Sequence, residues 1–80
     1  MNEELREFVS REFLYGRGAE LGDEDPLFPD VLDSLGVMTV VDFVERNYGV
    51  KLDDNDIQAQ NFQSLQAITR LVERRKQNSG

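Results

Sequence analysis

Ser34 is the residue of this sequence whose type and position raise the question of chemistry. It lies in the stretch DVLDSLGVMTVVDF, between an aspartate and a leucine, at the start of a strongly apolar run. Serine is a good helix N-cap, so a structural role would by itself explain a serine at the start of a helix. Asp33, however, can fill the capping role one residue earlier. Ser34 would then lie in the first turn with its hydroxyl free, at a positive helix end that favours an arriving phosphate.

The chain lacks the groups that usually activate a serine. It contains no histidine and no cysteine. Without histidine it has neither the commonest general base nor the commonest metal ligand, and a serine-histidine triad is excluded. No pair of carboxylates lies in an apolar neighbourhood that would separate two pKa values for acid and base catalysis. We therefore expect that the chain is not an enzyme.

Two other stretches match binding motifs only in part. Asp53-Asp54-Asn55-Asp56 begins like the calcium loop of an EF-hand, but the required glycine and the closing glutamate are missing. Gly16-Arg17-Gly18 lacks the strand, the third glycine and the lysine-serine pair of a phosphate-binding loop. We interpret the first as a helix-capping cluster and the second as a flexible turn, and we expect no metal site.

The element that must position Ser34 is a second helix, predicted from about Ser34 to Tyr48 and ended by Gly49. Its core face is predicted from apolar residues at helical spacing: Val37, Val40, Val41, Val44 and Tyr48. A neighbouring stripe contains Ser34, Leu35, Met38, Asp42 and Glu45. This stripe either covers the edge of a small core or forms a docking ridge for a partner protein, with the acids fixing the register.

Helical spacing also predicts a first helix over residues 3–15 and a last helix that begins near Ser64. Glycines, an acidic run and two prolines interrupt the pattern between the first two helices. We expect a long loop there, with a mobile first half and a second half pinned to the core by Leu27, Phe28, Val31 and Leu32. A short turn of helix containing Ile57 and Ala59, then a bend at Phe62, completes an all-α fold of three main helices and one short third helix.

Composition limits the partners and the size of the fold. Eighty residues are enough for one domain, which we place at 1–76, with 77–80 as a disordered tail. The net charge of −7 disfavours nucleic acid and anionic membranes and would steer the domain toward basic protein surfaces. There is no apolar stretch of membrane-spanning length, and the N-terminus has the wrong charge for a secretory signal. We expect a soluble, cytoplasmic monomer.

The whole chain resembles the acyl carrier protein family. The resemblance rests on Asp33-Ser34-Leu35, which opens an apolar helix after a long loop in a small, acidic, histidine-free chain. It implies the small four-helix bundle of that family. It also implies that Ser34 carries 4'-phosphopantetheine, with Asp33 completing the motif. Acyl or aminoacyl groups would be held on this arm as thioesters and presented to separate pathway enzymes.

The resemblance implies partners as well. A phosphopantetheinyl transferase would supply the base and the magnesium that this chain lacks and would transfer the arm from coenzyme A. A loading enzyme and downstream synthases or transferases would contact the second helix through Leu35, Met38, Asp42 and Glu45. The rival interpretation is a non-enzymatic acidic adaptor that binds a basic protein surface, with Ser34 structural. Because a helix needs only one cap, the aspartate before Ser34 favours the carrier.

Departures from the family pattern concern the pathway and the cargo. Gly36, Thr39 and Arg46 stand where carriers of fatty acid synthesis commonly have acids, and Val31-Leu32 stands where peptidyl carriers have a glycine pair. These features favour a free-standing carrier of a specialised polyketide or nonribosomal pathway, while fatty acid and D-alanyl carriers stay open. If the valines pack tightly, a long acyl chain is excluded from the core, and we expect a short or polar cargo.

Overall fold

The computed structural model describes residues 2–15 and 21–78. Within these ranges the chain forms α1 (Asn2–Phe13), α2 (Ser34–Tyr48), a 3-10 helix (Ala59–Phe62) and α3 (Leu65–Asn78), and no strand. The predicted all-α fold class is therefore confirmed. The short third helix of the prediction is the 3-10 helix, and none of the described helices is long and apolar enough to cross a membrane.

Helix α2 begins and ends at residues suited to those positions. Asp33 has an extended backbone, and its carboxylate accepts a hydrogen bond from the Gly36 N–H at 2.8 Å. Its carbonyl accepts the first helical bond, from the Val37 N–H at 2.9 Å. Gly49 ends the helix in the left-handed region, at φ 66°, which glycine adopts without steric cost. Since valine has only modest helix propensity, the packing of its apolar face must hold α2 in place.

The core is built from apolar side chains of every described helix and of the loop between α1 and α2. Phe62 is its largest fully buried member. The others lie on α1 (Leu5, Val9), in the loop (Leu27, Leu32), on and just after α2 (Val37, Val40, Val41, Val44, Val50, Leu52) and on α3 (Leu65, Ile68, Leu71, Val72). Phe28 and Val31 are half-buried and pack against this cluster. The prediction that the second half of the loop is pinned to the core is thus confirmed.

Aromatic side chains join α1 to α2. The rings of Phe8 and Phe43 stack with centroids 4.1 Å apart. Phe13 lies against the first turn of α2, where its Cε1 atom would be 3.0 Å from a Cβ added at Gly36. At the other end of α2, the half-buried Tyr48 donates a hydrogen bond to Glu4 at 3.3 Å, and burial together with that carboxylate raises the pKa of Tyr48 to about 12.

Polar contacts tie the loop to both outer helices. Arg6 of α1 donates to the Leu21 carbonyl at 2.7 Å and forms an ion pair with Asp23. The Asp23 carbonyl accepts from the Gln66 N–H of α3 at 2.9 Å. A further backbone bond, from the Leu27 N–H to the Gln63 carbonyl at 2.7 Å, brings the apolar end of the loop to the start of α3.

Some predicted boundaries need correction. Helix α1 ends at Phe13 rather than at residue 15, and Gly16, the Gly16–Gly18 turn and the mobile first half of the loop lie wholly or mainly outside the described residues. Helix α3 continues to Asn78, so residues 77 and 78 of the predicted tail belong to the helix, while 79 and 80 are not described.

Ile57 does not lie in a helix, contrary to the prediction. The Asp53 carboxylate accepts from the N–H groups of Asn55 and Asp56, at 3.0 and 3.2 Å, and folds this segment into a turn. Side-chain acceptors of this kind offer the backbone an alternative to helical bonds. The 3-10 helix consequently begins only at Ala59.

Candidate functional site

Ser34 is the first residue of α2 and is exposed. The structure assigns the capping of this helix to the Asp33 carboxylate, which lies on the preceding residue and bonds the Gly36 N–H. None of the described residues hydrogen-bonds to the Ser34 hydroxyl. The hydroxyl is therefore accessible at the positive end of a four-turn helix, where a negatively charged phosphodiester is stabilised.

The other described serines and threonines are placed differently. Ser10 and Ser64 are buried, with 9% and 8% of their surface exposed. The Ser64 hydroxyl accepts from the Ala67 N–H at 3.1 Å and so caps α3. Thr69 is buried and donates to Asn2, while the exposed Thr39 donates to the Leu35 carbonyl at 3.2 Å. Ser34 is thus the exposed serine of the described residues.

A groove of about 260 Å³ opens directly beside Ser34. The groove is lined by Phe28 of the loop, by Val37 and Met38 of α2 and by the segment 57–59, which we call the groove wall. Most of these side chains are apolar. Any group bound to the Ser34 hydroxyl therefore begins beside an apolar groove. Sequence patterns did not identify Phe28 or the 57–59 wall as part of this site, since they are brought to Ser34 by tertiary folding.

The predicted partner-binding residues divide into two groups. Leu35 and Met38 are exposed over 79% and 51% of their surface. Asp42 is also exposed and forms a surface ion pair with Arg46 at 3.2 Å. Glu45 is half-buried, and its carboxylate accepts from the Leu52 N–H at 2.9 Å. The first three side chains are open to another molecule, whereas Glu45 has an internal partner.

Charged residues also fix the turn that precedes the groove wall. Arg75 of α3 donates to Asp56 at 2.7 Å and to Asp53 at 2.9 Å. Burial alone would raise the pKa of Asp56, but the Asp53 N–H and the Arg75 guanidinium outweigh it and hold the pKa below its usual range. No local spacing pattern in the sequence connects Arg75 with these two acids. Among the described residues, no cluster of acidic side chains could hold a metal ion.

No family model matches the chain. A probable acyl carrier protein of a Serratia species, PigG, is 29% identical to it over 77 residues, which are 95% of this chain and 88% of the relative. The alignment thus includes both Ser34 and the residues around it. It confirms the predicted resemblance to the acyl carrier protein family, whose members are carriers and not enzymes.

Proposed function

We propose that this chain, which is similar to an acyl carrier protein over 95% of its length, carries acyl or aminoacyl groups as thioesters on a 4'-phosphopantetheine arm attached to Ser34. The observation that carries the proposal is the accessible Ser34 hydroxyl at the first position of α2, with Asp33 supplying the cap. Because Asp33 already satisfies the helix end, Ser34 is not needed as a cap. This favours the carrier over an adaptor in which Ser34 is structural.

Attachment of the arm requires little from this chain. The Ser34 oxygen attacks the phosphorus of coenzyme A that bears the pantetheine, the phosphodiester forms, and adenosine 3',5'-bisphosphate leaves. The hydroxyl proton passes to a base of the phosphopantetheinyl transferase, which also supplies magnesium. What the chain contributes is an exposed nucleophile and a helix N-terminus that stabilises the new negative charge. The bound arm supplies the thiol that a chain without cysteine lacks.

Partner enzymes dock, in this proposal, on the exposed side of α2. Leu35 and Met38 provide apolar anchors beside Ser34, and Asp42 provides a charge at the edge. We leave Glu45 out of this surface, because its carboxylate is engaged with the Leu52 backbone. With a net charge of −7, the domain is steered toward basic surfaces of the transferase and of the loading and downstream enzymes.

The cargo is short or polar. Val40 and Val44 are fully buried, and Val37 and Val41 are only 6% and 5% exposed, so the valine face of α2 is committed to packing. A long acyl chain would have to displace side chains from a close-packed core, which is unfavourable. The groove beside Ser34 has room for the start of the arm or for a small group, and larger cargo stays in solvent.

The proposed pathway is a specialised polyketide or nonribosomal one. The proposed location is the cytoplasm, where coenzyme A is available as the donor of the arm. Thr39 and Arg46 are exposed, so the lack of acids there alters the surface that partners meet. Gly36 is buried, and a Cβ added there would lie 3.0 Å from Phe13 Cε1, so close packing is a second reason for glycine at this position.

Incubation with coenzyme A, magnesium and a broad-specificity phosphopantetheinyl transferase tests the proposal. We expect the intact mass of the wild-type chain to increase by one arm, and Ser34→Ala to stay unchanged. Thr39→Ala, which removes an exposed hydroxyl from the next turn of the same helix, is the matched control and should be modified like the wild type. Circular dichroism would verify that each variant is folded. A wild-type chain that stays unmodified beside a modified control carrier would overturn the proposal.

A further inference from the structure

Arg75 makes the densest set of charged contacts between α3 and the turn that follows α2. Its Nε atom donates to Asp56 Oδ2 at 2.7 Å, and its Nη2 atom lies 2.6 Å from the same oxygen and 2.9 Å from Asp53 Oδ2. The Arg75 side chain is 31% exposed and that of Asp56 only 14%. A guanidinium that spans two carboxylates in this way is more strongly oriented than a surface ion pair between two mobile side chains.

The two carboxylates that Arg75 contacts also organise the backbone around them. Asp56 accepts from the Asp53 N–H at 3.0 Å, and Asp53 accepts from the N–H groups of Asn55 and Asp56. Asn61, inside the 3-10 helix, donates to the Asp56 carbonyl at 2.8 Å. Asp56 is thus bonded to Asp53 on one side of the short segment 57–59 and to Asn61 on the other, so a shift of Asp56 would move this segment.

That segment is a wall of the groove beside Ser34. Ile57, Gln58 and Ala59 line the groove together with Ser34, Val37 and Met38 of α2. Ile57 and Gln58 precede the 3-10 helix and are outside any regular helix. Ile57 packs against the core, so the position of this wall depends both on that packing and on the turn before it, which Arg75 holds to α3.

We propose that Arg75 is a positioning residue, which holds the 57–59 wall of the groove against the start of a phosphopantetheine arm on Ser34. The inference rests on the proposed function of Ser34. The second carbon of the arm after its phosphate bears two methyl groups, which suit the apolar lining to which Met38 and Ile57 contribute. Arg75 touches neither the arm nor Ser34, and it acts through Asp53 and Asp56.

Methyl NMR spectra of the chain before and after attachment of the arm test this role. The methionines are Met1 and Met38, and the isoleucines are Ile57 and the fully buried Ile68, so selective labelling resolves the groove. In the wild type, attachment should shift the methyl signals of Met38 and Ile57 and leave Ile68 unchanged. In Arg75→Gln the arm should still attach, but the shift at Ile57 should be largely lost.

Arg74→Gln is the matched control, since it removes the same charge from the neighbouring, exposed position of α3. It should respond to the arm like the wild type. Asp53→Asn removes the weaker of the two carboxylate partners and should reduce the Ile57 shift, which keeps the test available if Arg75→Gln does not fold. An Ile57 shift that is absent in the modified wild type, or undiminished in folded Arg75→Gln or Asp53→Asn, overturns the inference. Failure of the wild type to accept an arm would instead contradict the proposed function.

Discussion

The two faces of α2 contain similar side chains but have different surroundings. On one face the four valines are buried between the helices, at 0–6% exposure. On the other, Leu35 and Met38 are 79% and 51% exposed and border the groove or the solvent. An exposed apolar side chain adds little to stability, so Leu35 and Met38 are available for contact with another molecule. In this account the valine face packs α2 into the fold, and the Leu35 face is the surface that contacts partner enzymes.

Truncation of the valine face should have the largest effect. Val40→Ala removes fully buried methyl groups and leaves a cavity, which should lower the free energy of unfolding by about 2–3 kcal/mol. Met38→Ala, on the exposed face, should change it by less than about 0.5 kcal/mol. Urea denaturation of both variants measures the contrast. Equal losses of stability would show that the two faces are not divided as described.

Truncation of the exposed face should affect recognition instead. We expect Leu35→Ala to lower kcat/KM for arm transfer about tenfold, or about 1.4 kcal/mol, because it removes an apolar anchor next to Ser34. Its unfolding free energy should stay close to that of the wild type. Leu32→Ala, a loss of the same side chain from the core, is the contrasting control and should mainly destabilise the fold. If Leu35→Ala were modified at the wild-type rate, Leu35 would not be part of the surface on which the transferase docks.

At the beginning of α2, Asp33 supplies the helix cap and Ser34 supplies the reactive hydroxyl. Asp33→Ala should lower the free energy of unfolding by about 1 kcal/mol, since the Gly36 N–H loses its acceptor. Ser34→Ala should change it by less than about 0.5 kcal/mol. Thermal denaturation of the two variants gives the comparison directly. If Ser34→Ala were the more destabilising change, the capping role would belong to Ser34.

The turn before the groove wall is held by the ion pairs of Arg75 with Asp53 and Asp56, so its stability should respond to pH. The pKa of Asp56 is lower in the folded chain than its usual value, and the unfolded chain should have that usual value. Asp56 therefore stabilises the fold above its unfolded pKa, and this contribution is lost as the pH falls through the folded pKa. Denaturation between pH 7 and strongly acidic pH should show this loss in the wild type. The loss should be smaller in Arg75→Gln than in Arg74→Gln, and an identical pH dependence of the two variants would contradict the role of the pair.

Spacing and end signals were enough to predict the bounds of α2 and its valine face. The capping aspartate, the valine repeat and the terminal glycine are all local features, and the structure places the helix at Ser34–Tyr48 as they indicate. The apolar residues at the end of the loop were also sufficient to predict that it is pinned to the core. Such features depend on a few neighbouring residues, so they can be predicted from a short stretch of sequence.

Features that depend on distant contacts could not be predicted in the same way. Glu45 shares a stripe with Leu35, yet it turns inward because the chain doubles back after Gly49 and offers the Leu52 N–H. The close approach of Phe13 of α1 to Gly36 is likewise a tertiary contact that no local pattern indicates. Arg75 pairs with acids 19 and 22 positions earlier, and no local pattern connects them.

Location of the arm on the modified chain tests the central claim most directly. Cleavage after Arg17 and Arg46 gives a peptide of residues 18–46 that contains Ser34 and no other serine, whereas Ser10, Ser64 and Ser79 fall in other peptides. Tandem mass spectrometry of the product of the transferase reaction should place one phosphopantetheine arm on Ser34 within this peptide. An arm on any other residue, or a Ser34→Ala chain that still gains one, would contradict the account.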